Sequence, residues 1–121
     1  MPLVYTSSER SLAVLEMLVH MDPRFAHPGF SLIPAEVPDA EIVHLPENEL
    51  PEGWDSIPAL DETRVLGNAW AKNRESLALA VPSAVLPQGI NILINPWYPS
   101  FGTVSIGAPE PFVFDPRLVR Q

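Results

Sequence analysis

The pattern of hydrophobic and polar residues is clearest near the start of the chain. Residues 12–19 have the sequence Leu-Ala-Val-Leu-Glu-Met-Leu-Val, an apolar run that a single carboxylate, Glu16, interrupts. Residues 6–9, Thr-Ser-Ser-Glu, match a capping box, in which a hydroxyl and a glutamate satisfy free backbone N–H groups at a helix start. Asp22-Pro23 ends the segment, because the residue before proline disfavours helical angles. The pattern predicts a helix from about Ser8 to His20, packed on a sheet.

The rest of the chain favours strands over helices. One further helix is predicted from Glu62 to about Glu75, with an apolar face formed by Val65, Leu66, Ala69 and Trp70. Short apolar or alternating stretches predict strands over residues 2–5, 30–37, 41–45, 77–81, 91–94, 103–106 and 111–114. Because strands outnumber helices and the two are not regularly interleaved, the pattern predicts an α+β domain with a mixed or largely antiparallel sheet and a few helices.

Length and composition indicate one compact domain over residues 1–121. Hydrophobic residues make up 46% of the chain, which argues against disorder, and 15 prolines argue against long uninterrupted helices. Cysteine is absent, so no disulfide or thiolate metal site is available. No apolar run is long enough to cross a membrane, and the first residues lack the positive region of a signal peptide. We therefore expect a cytoplasmic protein that does not bind membranes.

The charge balance and the missing motifs exclude several classes of function. The net charge is −8 with only seven basic residues, which provides no basic footprint for nucleic acid. The acidity favours solubility or a protein partner with a basic patch. The glycine-rich phosphate loops, the zinc-protease helix motif and the serine-esterase motif do not occur in the sequence. Three histidines, His20, His27 and His44, lack metal-ligand spacing, so we expect no metal.

Glu16 is the main candidate for chemistry, and two interpretations of it stay open. Glu9, Glu16 and His20 are spaced seven and four residues apart, which places them on one stripe of a helix, and such a stripe is usually solvated. Alternatively, Glu16 stands in a pocket. An unpaired carboxylate in a core costs several kcal/mol, so a core helix does not carry one without a reason.

Four segments, in sequence order, resemble the RES-domain family, the toxins of bacterial toxin–antitoxin systems that are paired with Xre-type antitoxins. They are residues 3–7 leading into 12–20, residues 50–55 (Leu-Pro-Glu-Gly-Trp-Asp) followed by 63–70, residues 81–87 (Val-Pro-Ser-Ala-Val-Leu-Pro), and residues 91–96 (Asn-Ile-Leu-Ile-Asn-Pro) with 112–118. Each segment is modest alone. Their order and spacing across nearly the whole chain make the resemblance specific.

The resemblance implies a fold like that of ADP-ribosyltransferase toxins and NAD+ as the substrate, with no metal. It implies three catalytic residues. Glu16 matches the family glutamate, Tyr5 matches the tyrosine before the helix, and Ser83 matches the family serine. It further implies substrate-binding positions at Asn91, Asn95 and, where the family often has histidine, Tyr98. By residue type alone, Tyr5 is a packing residue, and Ser83 and Asn95 are turn residues.

These residue types fit the chemistry that the resemblance implies. Breaking the nicotinamide–ribose bond passes through an oxocarbenium-like state, as glycoside cleavage does. Glu16 would hold the ribose hydroxyls and stabilise the developing positive charge. Tyr5 would stack on nicotinamide, and Ser83 would bind a ribose or phosphate oxygen. The sequence does not separate hydrolysis from phosphorolysis, because the acceptor is a small molecule.

The resemblance also implies an Xre-type antitoxin as partner, with the protein in a homo-oligomer or a toxin–antitoxin hetero-oligomer. Family members carry several dozen residues, including the family arginine, before the segment that corresponds to Val4. Pyrophosphate recognition uses cationic donors such as arginine, so we expect the 121 residues to bind NAD+ weakly and to turn it over poorly. The alternatives are an ADP-ribosyltransferase that modifies a protein, and a catalytically impaired module that retains antitoxin binding.

Overall fold

A computed structural model describes residues 3–20, 29–45, 47–49, 52, 70 and 75–118 of the chain. In this part of the chain the helix α1 comprises Arg10–His20. The strands are β1 Val4–Ser7, β2 Phe30–Leu32, β3 Ala35–Glu36, β4 Ile42–His44, β5 Ala78–Pro82, β6 Ile90–Ile94, β7 Ser105–Ile106 and β8 Glu110–Phe112. Short 3-10 turns lie at Asp39–Glu41, Glu47–Glu49, Pro99–Thr103 and Pro116–Leu118.

Four of the strands form one mixed sheet in the order β1-β6-β5-β4. The β1–β6 and β5–β6 pairs are antiparallel, and β4 runs parallel to β5. Two small antiparallel pairs, β2–β8 and β3–β7, lie apart from this sheet. The architecture confirms the predicted α+β class with a mixed sheet.

Side chains pack on both faces of the four-stranded sheet. Leu79 and Leu93 are cross-strand partners that pack with Trp70 on one face, which we call the Trp70 face. Ala78 and Ile94 are also partners, and they lie on the opposite face because successive side chains of a strand alternate. Leu77, which directly precedes β5, packs with them. We call this second side the Leu77 face.

The helix follows β1 directly and packs against the turn between β5 and β6. The N–H of Ser8 donates to the carbonyl of Ile90 at 3.0 Å, which extends the β1–β6 pairing to the start of the helix. Leu12 is only 4% exposed, and a Cβ atom placed on Gly89 would lie 2.8 Å from its Cδ2 atom. A glycine at position 89 therefore allows the helix to approach the turn closely.

Most predicted strands are present with slightly different bounds. The predicted strand over residues 30–37 is divided into β2 and β3. The predicted strand over residues 41–45 begins one residue later, because Glu41 belongs to a 3-10 turn, and ends one residue earlier. The predicted strand at residues 77–81 corresponds to β5, which is shifted by one residue at both ends, and the predicted strand at residues 91–94 corresponds to β6, which begins one residue earlier.

The predicted capping box is wrong. Thr6 lies in β1 rather than at the helix start, and its hydroxyl donates to the carbonyl of Ile92 at 2.7 Å. The helix begins at Arg10, and its first turn is closed by the N–H of Ala13, which donates to the carbonyl of Glu9. The backbone continued as a strand because pairing with β6 satisfies more groups than a local cap does.

The predicted second helix, from Glu62 to about Glu75, lies outside the described residues except at its end. Trp70 is helical and 3% exposed, and its indole N–H donates to the hydroxyl of Ser76 at 2.8 Å. The predicted helix stop at Asp22-Pro23 is also outside the described residues. No helix within the described ranges combines the length and the apolar character that crossing a membrane requires.

Replacing Gly89 with alanine should destabilise the protein. The added methyl group would press on Leu12 and would lie 3.3 Å from the carbonyl oxygen of Leu86. Overfilling a packed site costs about 1–3 kcal/mol, so we expect the free energy of unfolding to fall by that amount in urea titrations. Gly102→Ala is the matched control, because nothing lies within 4 Å of a Cβ there. Equal unfolding midpoints for the two variants would contradict the close approach.

Candidate active site

Glu16 is held by two hydrogen bonds from distant parts of the chain. The hydroxyl of Ser83 donates to its Oε1 atom at 2.6 Å, and the side-chain amide of Asn91 donates to the same atom at 2.9 Å. The glutamate is half-buried, whereas Glu9 at the start of the helix is exposed. These hydrogen bonds argue against the interpretation of Glu16 as part of a solvated stripe. The side chain of His20 lies outside the described residues.

Ser83 uses its whole hydrogen-bonding capacity inside the protein. It is fully buried, and its Oγ atom accepts the N–H groups of Val85 and Leu86, each at 3.1 Å. A serine hydroxyl has one donor and two acceptor positions. Since both acceptor positions are occupied by the turn, its proton points at the carboxylate of Glu16. The turn role and the role beside Glu16 are thus combined in one side chain.

Asn91 connects Glu16 to the first strand. It lies on β6 directly opposite Ser7 of β1, and its Oδ1 atom accepts the hydroxyl of Ser7 at 2.8 Å. Its Nδ2 group points the other way, toward Glu16. The sequence analysis did not identify Ser7, and no local signal singles it out, because its importance comes from the register between β1 and β6.

Tyr5 lies on the same side of the sheet as the residues around Glu16. It precedes Ser7 by two positions on β1, so the two side chains share the Trp70 face of the sheet. Its cross-strand partner is Leu93, a member of the packed cluster on that face. The side chain is 69% exposed, which leaves the ring open to a bound molecule.

Asn95 and Tyr98 are placed differently from the residues around Glu16. Asn95 is fully buried, and its Oδ1 atom accepts the N–H of Trp97 at 3.0 Å, as expected of a turn residue before proline. Tyr98 packs against the cluster around Leu77 and Ile94, on the Leu77 face. The structure does not bring Tyr98 to Glu16, and its role in substrate binding stays a prediction.

The two arginines in the described part of the chain are both paired with carboxylates. Arg10 forms a fork on Glu110 with contacts of 2.6 and 3.1 Å, and its hydrogen bonds and charge lower the pKa of that carboxyl. Arg117 binds Asp115 at 2.7 Å, and its hydrogen bonds lower the pKa of Asp115. Both pairs are exposed to solvent, so each is weakly held and open to exchange with another anion.

A cleft of about 1100 Å³ lies on the Leu77 face, between the start of α1 and residues 32–39. Ile42, Ile92 and Ile94 form its apolar wall. Glu16, Tyr5, Ser83 and Asn91 do not line it, but Ser7 does, so the cleft reaches the edge of the group around Glu16. No cluster of three or more metal-ligating side chains occurs among the residues that the structure describes.

Comparisons with known proteins extend over nearly the whole chain. "Toxin Res" of Yersinia enterocolitica is 40% identical over 116 residues, which are 95% of this chain and 76% of that protein. "Toxin Res" of Pseudomonas putida is 38% identical over 120 residues, covering 97% of this chain and 79% of that protein. The "Prs ADP-ribosylating toxin" of a Sphingobium species is 35% identical over 123 residues, covering 98% and 76%.

The profile of the RES domain matches residues 1–115, which include every element from β1 to β8. With relatives at 35–40% identity along the same span, the chain belongs to the RES domain family.

Proposed function

We propose that this protein is a toxin that depletes NAD+ by breaking the bond between nicotinamide and ribose, with Glu16 as the central catalytic residue. The observation that carries the proposal is the half-buried carboxylate of Glu16, fixed on one oxygen by Ser83 and Asn91. A charged group held in this way is the kind of preorganised electrostatic element that stabilises a charged transition state.

The chemistry needs a fixed negative charge beside the ribose. As the C1′–N bond breaks, its electron pair leaves with nicotinamide, and positive charge develops on the ribose ring. The nucleophilic oxygen of the acceptor then forms a bond to C1′, and its proton passes to solvent. A carboxylate that is partly removed from water attracts this charge more strongly than an exposed one does, because the local dielectric constant is lower.

The neighbouring residues receive distinct roles in this proposal. Tyr5, exposed on the same face, stacks on the nicotinamide ring or lines its slot. Ser83 holds the carboxylate rather than the substrate, since its one proton is already donated to Glu16. Asn91 holds the carboxylate with one N–H of its side-chain amide. Asn95 shapes the turn after β6, at the end of the strand that carries Asn91.

The acceptor of the ADP-ribose group defines the reaction. Water gives hydrolysis and phosphate gives phosphorolysis, whereas a protein side chain gives ADP-ribosylation. The name of the Sphingobium relative, an ADP-ribosylating toxin, favours protein modification as the second candidate function. In either case we propose that the protein acts in the cytoplasm and is neutralised there by an Xre-type antitoxin, with which it forms a hetero-oligomer.

Glu16→Gln should abolish most of the activity without unfolding the protein. The amide oxygen of glutamine still accepts the hydrogen bonds of Ser83 and Asn91, but the negative charge is lost. We expect the rate of nicotinamide release from NAD+ to fall by roughly 10²-fold or more, as on removal of one preorganised electrostatic group. Mass spectrometry of the co-product identifies the acceptor as water, phosphate or protein.

Glu41→Gln is the matched control for this experiment. Glu41 is also half-buried and also accepts a serine hydroxyl, from Ser100 at 3.0 Å, but it lies outside the group around Glu16. The control should release nicotinamide at the wild-type rate. Undiminished release by Glu16→Gln would remove Glu16 from the site. Because turnover is expected to be slow, the wild-type protein is incubated at high concentration for a long time, and no release under those conditions would refute NAD+ as its substrate.

Ser83→Ala should reduce both stability and turnover. The change leaves the N–H groups of Val85 and Leu86 without their acceptor and frees one side of Glu16. We expect a loss of about 1–3 kcal/mol in the free energy of unfolding, the usual cost of an unsatisfied buried group. Ser100→Ala, which removes the other serine–glutamate contact, should cost less stability and leave turnover unchanged. Equal effects of the two variants on turnover would argue against a special role for Ser83.

A further inference from the structure

We infer that Ser7 is a positioning residue that fixes the carboxylate of Glu16 by orienting the side chain of Asn91. Its catalytic consequence rests on the proposed function. Two hydrogen bonds in series make the connection: Ser7 Oγ donates to Asn91 Oδ1 at 2.8 Å, and Asn91 Nδ2 donates to Glu16 Oε1 at 2.9 Å.

The polarity of this series is set by the carboxylate. An ionised glutamate only accepts hydrogen bonds, so Asn91 must turn its Nδ2 group toward Glu16. In the opposite orientation, two acceptor oxygens would face each other at hydrogen-bond distance. Once the amide nitrogen faces Glu16, the amide oxygen faces β1 and needs a donor there. The hydroxyl of Ser7 is that donor.

The position of Ser7 is fixed by backbone pairing on both sides. Ser7 and Asn91 are direct cross-strand partners at the end of the β1–β6 pair. One residue further, the N–H of Ser8 donates to the carbonyl of Ile90 at 3.0 Å. Side chains on paired strands are held more firmly than those on loops, which suits a group that must set the direction of another.

Ser7 and Ser83 act on Glu16 from two different strands. Ser83 follows β5 and contacts Oε1 directly, whereas Ser7 lies on β1 and contacts it through Asn91 of β6. The same carboxylate oxygen is therefore held from two directions.

The adjacent residue, Thr6, provides a matched control within the same strand pair. Its hydroxyl also makes a cross-strand hydrogen bond, to the carbonyl of Ile92 at 2.7 Å. Because side chains alternate, Thr6 points to the Leu77 face, away from Glu16. Thr6→Val removes a bond of the same kind from the same pair of strands without touching the series that leads to Glu16.

The test compares Ser7→Ala, Ser7→Thr and Thr6→Val with the wild-type protein by two measurements. NMR follows the side-chain amide signals of Asn91, and a nicotinamide assay gives kcat and KM. We expect Ser7→Ala to shift the Asn91 signals and to lower kcat about 3- to 10-fold with little change in KM, as for loss of one neutral hydrogen bond. Ser7→Thr keeps the hydroxyl and should restore both, and Thr6→Val should change neither.

A double-variant cycle tests whether Ser7 acts through Asn91. In the Asn91→Ala background, Ser7→Ala should lower kcat no further, because the hydrogen-bonded route through Asn91 is gone. Additive losses would overturn the inference, as would wild-type kcat in Ser7→Ala. Unchanged Asn91 signals in Ser7→Ala would overturn it even if the protein cleaved no NAD+. Shifted signals without any turnover by wild type would support the orientation of Asn91 and refute only the proposed reaction.

Discussion

The hydrogen bonds to Oε1 of Glu16 are the constraint on which the site depends. A carboxylate in an otherwise apolar stretch of helix must find donors, because leaving it unpaired on burial is costly. The two donors, Ser83 and Asn91, are 67 and 75 residues away in sequence, so they meet Glu16 only when the helix lies against the β5–β6 turn. The close approach at Gly89 makes that contact sterically feasible. Packing and polar satisfaction thus require the same arrangement.

One side chain serves the backbone and the carboxylate together. Turn residues are usually considered apart from catalytic ones, but the hydroxyl of Ser83 accepts two turn N–H groups and donates to Glu16. The turn thereby fixes the direction of the proton, and the proton fixes the carboxylate. Asn91 is fixed in the same manner from the opposite side by Ser7. The paired strands and the turn therefore hold the two side chains that contact Glu16.

The sheet separates two surfaces with different character. The Trp70 face carries the exposed ring of Tyr5 and the side chains of Ser7 and Asn91, whereas the Leu77 face carries a large cleft and Tyr98. The arginines in the described ranges are engaged with Glu110 and Asp115, on the protein surface. An anionic ligand would have to compete with these carboxylates, and exposed ion pairs are weak enough for such exchange. Membership of the RES domain family places both surfaces in a fold that toxins share.

Local patterns in the sequence determined the secondary structure and drew attention to Glu16, because helical periodicity, alternation and turn residues act over a few positions. They also indicated Ser83 and Asn91 through the family resemblance.

The tertiary structure alone decided which polar groups meet. Thr6 was predicted to cap the helix, yet pairing of β1 with β6 gave its hydroxyl a carbonyl acceptor instead. The same register placed Ser7 beside Asn91, 84 residues away. Alternation placed Ile94 on the Leu77 face, and Tyr98 packs there, on the other side of the sheet from Asn91. Strand register is a property of the assembled sheet, and a shift of one residue would exchange the two faces, so no short pattern could have specified these contacts.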